Sequence, residues 1–383
     1  MSGIYIHIPF CRQACHYCNF HFSVSQKQRP DFVRALMKEI CLQKDFLKTG
    51  PEDKVLLDTL YFGGGTPSLL EISELDQIFD ELNKFCELSP DAEVTLEANP
   101  DDLDPEKLVA LRNSSVNRLS IGIQSFHASD LKYMNRSHTS DQAVKVLNDA
   151  LKAGFESITA DLIYGTPGMN DQLWKENILR LISFGIPHIS AYSLTVEKKT
   201  ALEVFIRRGK AAPVDEEHAA RQFEILCEIT AQHGYEHYEI SNFGKPGFFS
   251  RHNLSYWSGV PYLGLGPSAH SYREGLRRWN VANTCSYIDY LQNGQLPPFE
   301  QEQLDKDQQY NEYVMTALRT MWGIDKELVK NRFGEQYAEK LMHAAQKYLK
   351  NGKMLETSSH LVISNQGKFL ADGIAADLFV DHK

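Results

Sequence analysis

The chain has 383 residues, 42% of them hydrophobic and 23% charged, a globular composition with length enough for two or three domains. Its 40 Lys and Arg against 50 Asp and Glu leave a net charge of -10, which argues against nucleic acid or an anionic membrane as the main partner. No apolar run approaches the roughly 18 residues of a membrane-spanning helix, and Met1-Ser2-Gly3-Ile4-Tyr5 opens without a signal-peptide pattern, so a cytoplasmic protein is expected.

Short β-rich runs at residues 3–9, 59–62, 93–97, 118–123, 157–164 and 188–194 alternate with amphipathic stretches at 31–46, 69–85, 105–111, 140–153 and 171–184. In 31–46, Phe32, Leu36, Ile40 and Phe46 recur at helical spacing, with Pro30-Asp31 as the start. Such alternation calls for right-handed crossovers and a parallel sheet. Six units predict an α/β fold, a partial (β/α)6 barrel with its chemistry at the C-terminal ends of the strands. Candidate residues fall at those ends. Cys11 follows the first strand, Gly63-Gly64-Gly65-Thr66-Pro67 the second, and Glu97-Ala98-Asn99-Pro100 ends the third. Gln124 ends the fourth, while Asp161 and Gly165-Thr166-Pro167 mark the fifth.

Residues 242–270, rich in Gly, Pro, Ser, Tyr and Trp without a period, read as an ordered loop region, and 294–298 as a linker. Farther on, 307–321 and 335–351 read as helices, followed by 352–356 and a hairpin-like segment at 361–367. The expected division is a barrel over 1–240, a loop-rich extension and linker over 241–298, and a small α+β domain over 299–383.

Of seven cysteines, Cys11, Cys15 and Cys18 fall within eight residues, whereas Cys41, Cys86, Cys227 and Cys285 are scattered and read as small core residues. A tight cluster in a reducing compartment points to metal or redox chemistry. Three thiolates at Cys-x3-Cys-x2-Cys can hold three corners of a 4Fe-4S cube and leave one iron open. A zinc site would need a fourth ligand, for which His16 or His21 is available. The glycine loop lacks the Gly-Lys-[Ser/Thr] ending of a phosphate loop. With the aromatic Tyr17 before Cys18, the cysteine motif resembles that of the radical S-adenosylmethionine (SAM) superfamily. The resemblance implies a 4Fe-4S cluster on Cys11, Cys15 and Cys18, with SAM at the open iron and its amino group on the glycine loop.

Tyr5-Ile6-His7-Ile8-Pro9-Phe10-Cys11, the Gly-Gly-Gly-Thr-Pro loop, Gly122-Ile123-Gln124-Ser125-Phe126 and Asp161-Leu162-Ile163-Tyr164-Gly165 are similar to motifs of the oxygen-independent coproporphyrinogen III oxidase group, called HemN-like. By that resemblance Tyr5, Tyr17, Gly64 and Glu97 contact SAM, and Gly65, Thr66, Gln124, Arg136, Asp161 and Thr195 match positions that contact a second SAM. Two departures separate this chain from the oxidases. Phe20 stands where they carry a further cysteine, and the sequence opens directly at the first strand, without their N-terminal arm. Both features belong to the oxidase's substrate chemistry, so oxidative decarboxylation of coproporphyrinogen is the alternative activity and not the leading one.

His252-Asn253-Leu254-Ser255-Tyr256-Trp257 resembles the His-Asn-x-x-Tyr-Trp motif of the HemW branch, the heme chaperones of the same superfamily. That resemblance implies heme as cargo and His252 as the iron ligand, with Tyr256 and Trp257 offering flat surfaces to a porphyrin. His270, in Gly264-Leu265-Gly266-Pro267-Ser268-Ala269-His270, is a second candidate for which a structural loop is the preferred reading. The partners implied are heme, a heme-accepting protein and, for acceptors in a membrane, peripheral contact there; no nucleic acid is expected.

Overall fold

In the computed structural model, which describes residues 2–48, 50 and 54–380, β1 (Gly3–Ile8), β2 (Val55–Gly64), β3 (Cys86–Ala98), β4 (Arg118–Gln124), β5 (Ser157–Tyr164) and β6 (His188–Ser193) lie side by side in chain order, all parallel. This is the expected α/β arrangement. The sheet goes on beyond it. β7 (Glu236–Glu239) and β8 (Asn242–Gly244) extend one edge, and β9 (Tyr262–Leu265), β10 (His270–Arg273), β11 (Leu276–Asn280) and β12 (Phe299–Gln303) the other. The order is β12-β11-β10-β9-β1-β2-β3-β4-β5-β6-β8-β7, an open sheet and not a closed barrel.

Local chemistry explains where the helices begin. Asp104, Thr139 and Asn170 cap the helices Pro105–Asn113, Ser140–Lys152 and Asp171–Ser183, each side chain accepting from a backbone N–H of the first turn. The helix expected at 69–85 runs Ile72–Leu82, because Glu71 and Glu74 form a reciprocal capping box after a short turn at Pro67–Leu69. The helix expected at 31–46 runs Arg29–Leu42.

The loop expected at 242–270 is instead β8, the helix Arg251–Trp257 and β9. β9 is only four residues long and pairs in parallel with β1, Gly3 opposite Tyr262, so a distant partner fixes it where local pattern does not. Residues 294–298 form the turn from the helix Thr284–Gln292 into β12, which pairs with β11. The helix Glu216–Gln232, capped by Asp215, had no counterpart in the sequence reading.

The main core packs Ile6, Phe62, Leu96, Ile121, Leu162 and Ile189 from successive strands, all fully buried, at about 1.5–3 kcal/mol per side chain. A second core gathers Tyr310, Val314, Phe333 and Leu361 around the helix Lys306–Leu318 and a small sheet of β13 (Ile324–Asp325), β14 (Met354–Glu356) and β15 (His360–Ile363). Ile240 N donates to Arg319 O and Met321 N to Tyr238 O, which stitches the two parts together; the Arg319 guanidinium lies 5.0 Å from the centre of the Trp257 ring. Among the described residues no helix is long and apolar enough to cross a membrane.

Candidate functional site

The cysteine loop leaves β1 and is pinned at once. Cys11 N donates to Ser23 O at 3.0 Å, and Ser23 N to Pro9 O at 2.8 Å. Its far side is held by His16 N to Met134 O (3.1 Å) and Leu202 N to His16 O (2.8 Å). The Thr66 hydroxyl lies 3.5 Å from Cys11 Sγ, and Arg136 Nη1 donates to Cys15 Sγ at 3.4 Å. Burial pushes the Cys11 thiol up to about 11 and raises Cys18 as well. The histidines available to a zinc site are engaged elsewhere. His16 Nδ1 bonds Tyr133 O at 2.9 Å, and His21 Nε2 bonds the Thr284 hydroxyl at 2.9 Å. Among the described residues no three His, Cys, Asp or Glu side chains converge on one ion position.

Arg136 reaches behind this loop. Nη2 donates to Gly122 O at 3.0 Å and to Asn99 Oδ1, and Nε is buried with no hydrogen-bond partner among the described residues. The buried guanidinium faces Cys15 and Tyr17, and its charge opposes part of the effect of burial on Cys11 and Cys18.

A cavity of about 560 Å³ opens over the strand ends, and the structure brings Tyr5, Tyr17, Cys18, Glu97, Gln124, Asp161, Thr195 and His252 to its wall. Gly64, Gly65, Thr66 and Arg136 are not among its lining residues. Gly64 (φ 109°) donates its N–H to Glu97 Oε2 at 3.1 Å. A Cβ on Gly65 would stand 2.6 Å from Phe10 O, so its bareness serves close packing on the end of β1. Glu97 also accepts from Tyr61 Oη at 2.7 Å, and burial raises its carboxyl. Asp161 accepts from Ser120 Oγ at 3.2 Å and is pushed up to about 8, first by burial and then by Glu97. Gln124, at φ 62°, sits where the β4–β5 register shifts, which re-aims its side chain. Tyr61, Ser120 and Thr95, whose buried Oγ1 has no partner among the described residues, escaped the sequence reading. Strand alternation, which puts them on the same face as their charged neighbours, was the available signal.

His252 is the second residue of the helix Arg251–Trp257, whose first turn is fixed by Ser250 Oγ and by Glu93, which accepts from the N–H groups of Arg251 (3.0 Å) and His252 (2.9 Å). The ring is 1% exposed and lies flat on Tyr61 with centroids 4.9 Å apart. Nδ1 bonds the Thr59 hydroxyl and Nε2 the Tyr256 hydroxyl, both at 2.8 Å, and burial lowers its pKa to about 3. With both nitrogens engaged, the geometry does not present His252 to an iron.

A second cavity of about 760 Å³ lies between β10–β11 and the helix Lys306–Leu318, and sequence reading missed it because distant segments build it. It adjoins the first through Tyr5, Phe20 and Tyr256, which line both.

Residues 5–181 match the radical SAM superfamily and residues 304–370 the HemN C-terminal domain. The chain is 36% identical to "Heme chaperone HemW" of Bacillus subtilis, over 98% of each chain, and 35% identical to the protein of that name from Mycobacterium tuberculosis, over 98% of this chain and 94% of that one. Among solved structures, coproporphyrinogen III oxidase (HemN) of Escherichia coli superposes with a TM-score of 0.84 at 20% identity, over 99% of this chain and 90% of that one, a likeness of fold.

Proposed function

From the premise that this chain belongs to the HemW family of the radical SAM superfamily, we propose that it is a cytoplasmic heme chaperone that binds heme and passes it to acceptor proteins. Likeness along nearly the whole chain, both parts included, to proteins of that name carries the reading. The family implies a 4Fe-4S cluster and SAM, and the residues present fit both. Cys11, Cys15 and Cys18 supply three thiolates on one pinned loop, and the Arg136 guanidinium beside Cys15 offsets their charge. When bound, the cluster supplies an open iron for the amino and carboxylate groups of SAM. Around it Tyr5 and Tyr17 give ring surfaces, Gly64 positions Glu97, and Glu97 and Asp161 accept from ammonium or ribose hydroxyls. Gly65, Thr66, Gln124 and Thr195 shape the remainder of that site.

Phe20, two residues after Cys18 and exposed between the two cavities, is the feature that speaks against oxidation of coproporphyrinogen. The acceptor protein is recognised by its need for heme, with peripheral contact where it is membrane-bound. The test is anaerobic purification with iron and sulfide analysis, hemin titration, and transfer of bound heme to an apo heme protein. We expect about four irons and four sulfides per chain, a saturable heme spectrum, and no carbon dioxide from coproporphyrinogen III with SAM and reductant. Stoichiometric zinc without sulfide would overturn the cluster, and rapid decarboxylation would restore the oxidase reading.

A further inference from the structure

The heme reading assigns a cargo but leaves its iron without a partner, since His252 is buried and doubly hydrogen-bonded. The second cavity offers a different imidazole. His270, the first residue of β10, lines it with an exposed ring, and among the described residues neither ring nitrogen makes a hydrogen bond. The ring is stacked on Trp279, its partner across β11, with centroids 5.9 Å apart at 23°. Its backbone is fixed by a tight crossing. A Cβ on Gly264 would stand 2.0 Å from His270 O, so the glycine of Gly264-Leu265-Gly266 lets β9 pass directly beneath the histidine.

The rest of the cavity suits a flat apolar molecule with acidic edges. Its volume, about 760 Å³, falls within the usual range for a large ligand. Trp257 and Trp279 line it together with Tyr262 and Tyr272. Trp257 Nε1–H is buried with no hydrogen-bond partner among the described residues. At the rim Arg332, held by the amide of Gln309 at 3.3 Å, supplies a cation. Two glutamates, Glu302 and Glu312, also line the cavity; both bond Arg277, and with Arg332 the two cations balance the two carboxylates.

We propose that heme occupies this second cavity with His270 facing its iron, and that His252 is a positioning residue that acts on the site through Tyr256, the wall common to both cavities. The proposal rests on the heme-chaperone reading and sharpens it to a place and a ligand. The four faces that meet at the site are a strand pair, the short helix of the His-Asn-x-x-Tyr-Trp motif, the cysteine loop through Phe20, and the C-terminal unit. Heme so placed would lie beside the SAM cavity and outside it.

The test is titration of the full chain, cluster quantified, with hemin and separately with metal-free protoporphyrin IX, in wild type, His270→Ala and His252→Gln. His270→Ala should weaken hemin binding about tenfold or more and lose the imidazole-ligated Soret band, while metal-free porphyrin binds within about twofold of wild type. Added imidazole should restore the band. His252→Gln should keep the imidazole-ligated spectrum, with a smaller fall in affinity shared by hemin and the metal-free porphyrin. An unchanged hemin spectrum in His270→Ala, or loss of imidazole ligation in His252→Gln alone, would overturn the assignment and leave the chaperone reading standing. Failure of wild type to bind hemin at all would overturn both.

Discussion

On one side of Tyr5, Phe20 and Tyr256 the walls are strand-end hydroxyls and carboxyls, Glu97 and Asp161 among them; on the other they are the rings of Trp257, Tyr262, Tyr272 and Trp279. The first cavity lies over the parallel strands β1 to β6, whose ends aim polar groups at a common point. The second arises where the sheet's added edge meets the C-terminal helices. The same residue type meets opposite fates across the shared wall. His252 is locked by Thr59 and Tyr256, whereas His270 stands open. What an imidazole can do is thus set by the partners that the fold brings to it, and a motif alone does not report them.

The cysteines separate the two cavities most sharply. Replacing Cys11, Cys15 or Cys18 by Ala should abolish the cluster's iron and its broad absorption, yet change hemin affinity by no more than about twofold; a parallel loss of hemin binding would make the two cavities one site.

Next in size is Glu93→Ala. Glu93 lies 3.5 Å from Arg118 in a buried ion pair and holds the first turn of the helix that carries Tyr256. Stranding the arginine should cost about 3–5 kcal/mol in denaturant unfolding and perturb both cavities, since their common wall rides on that helix. A loss under about 1 kcal/mol would show that water reaches Arg118.

His252→Phe keeps the ring stack and removes both hydrogen bonds, leaving the Thr59 and Tyr256 hydroxyls unpaired, at an expected cost of about 1–3 kcal/mol. Hemin should still show imidazole ligation, and its loss would move the iron across the wall.

The smallest expected effect is a pH dependence of the SAM-free protein. Asp161, raised to about 8 by burial and by Glu97, is more easily protonated folded than unfolded. Its contribution is therefore fully present below the ordinary carboxyl range and is lost as pH rises through about 8. Asp161→Asn should melt within a degree or so of wild type near pH 4 and a few degrees higher above pH 8. Parallel melting curves for the two proteins across that range would show that the carboxyl is well solvated.

How much of this was readable in advance follows from the range of the forces involved. The six parallel strands and the residues at their ends follow from local alternation, and the structure places Glu97, Gln124 and Asp161 on one cavity wall. β9 hides in a Gly- and aromatic-rich stretch because a strand of four residues takes its register from its partner, as Tyr262 does from Gly3. Tyr256 lies one turn from His252 and could be foreseen as its neighbour; Thr59, on β2, could not. Phe20, by contrast, was singled out as a departure from a pattern, and it lies where the two cavities meet.

The pairing of β1 with β9 also sets a timetable for biosynthesis. β2 can cover one edge of β1 early, but the other edge waits for Tyr262 to leave the ribosome. At about 5–20 residues per second that interval is roughly ten to fifty seconds. Through it the nascent chain carries an uncovered hydrogen-bonding edge beside an already synthesised cysteine loop, a window open to strand-edge aggregation. The cysteine loop thus leaves the ribosome long before the strands β9 to β11 and the C-terminal helix that line the second cavity.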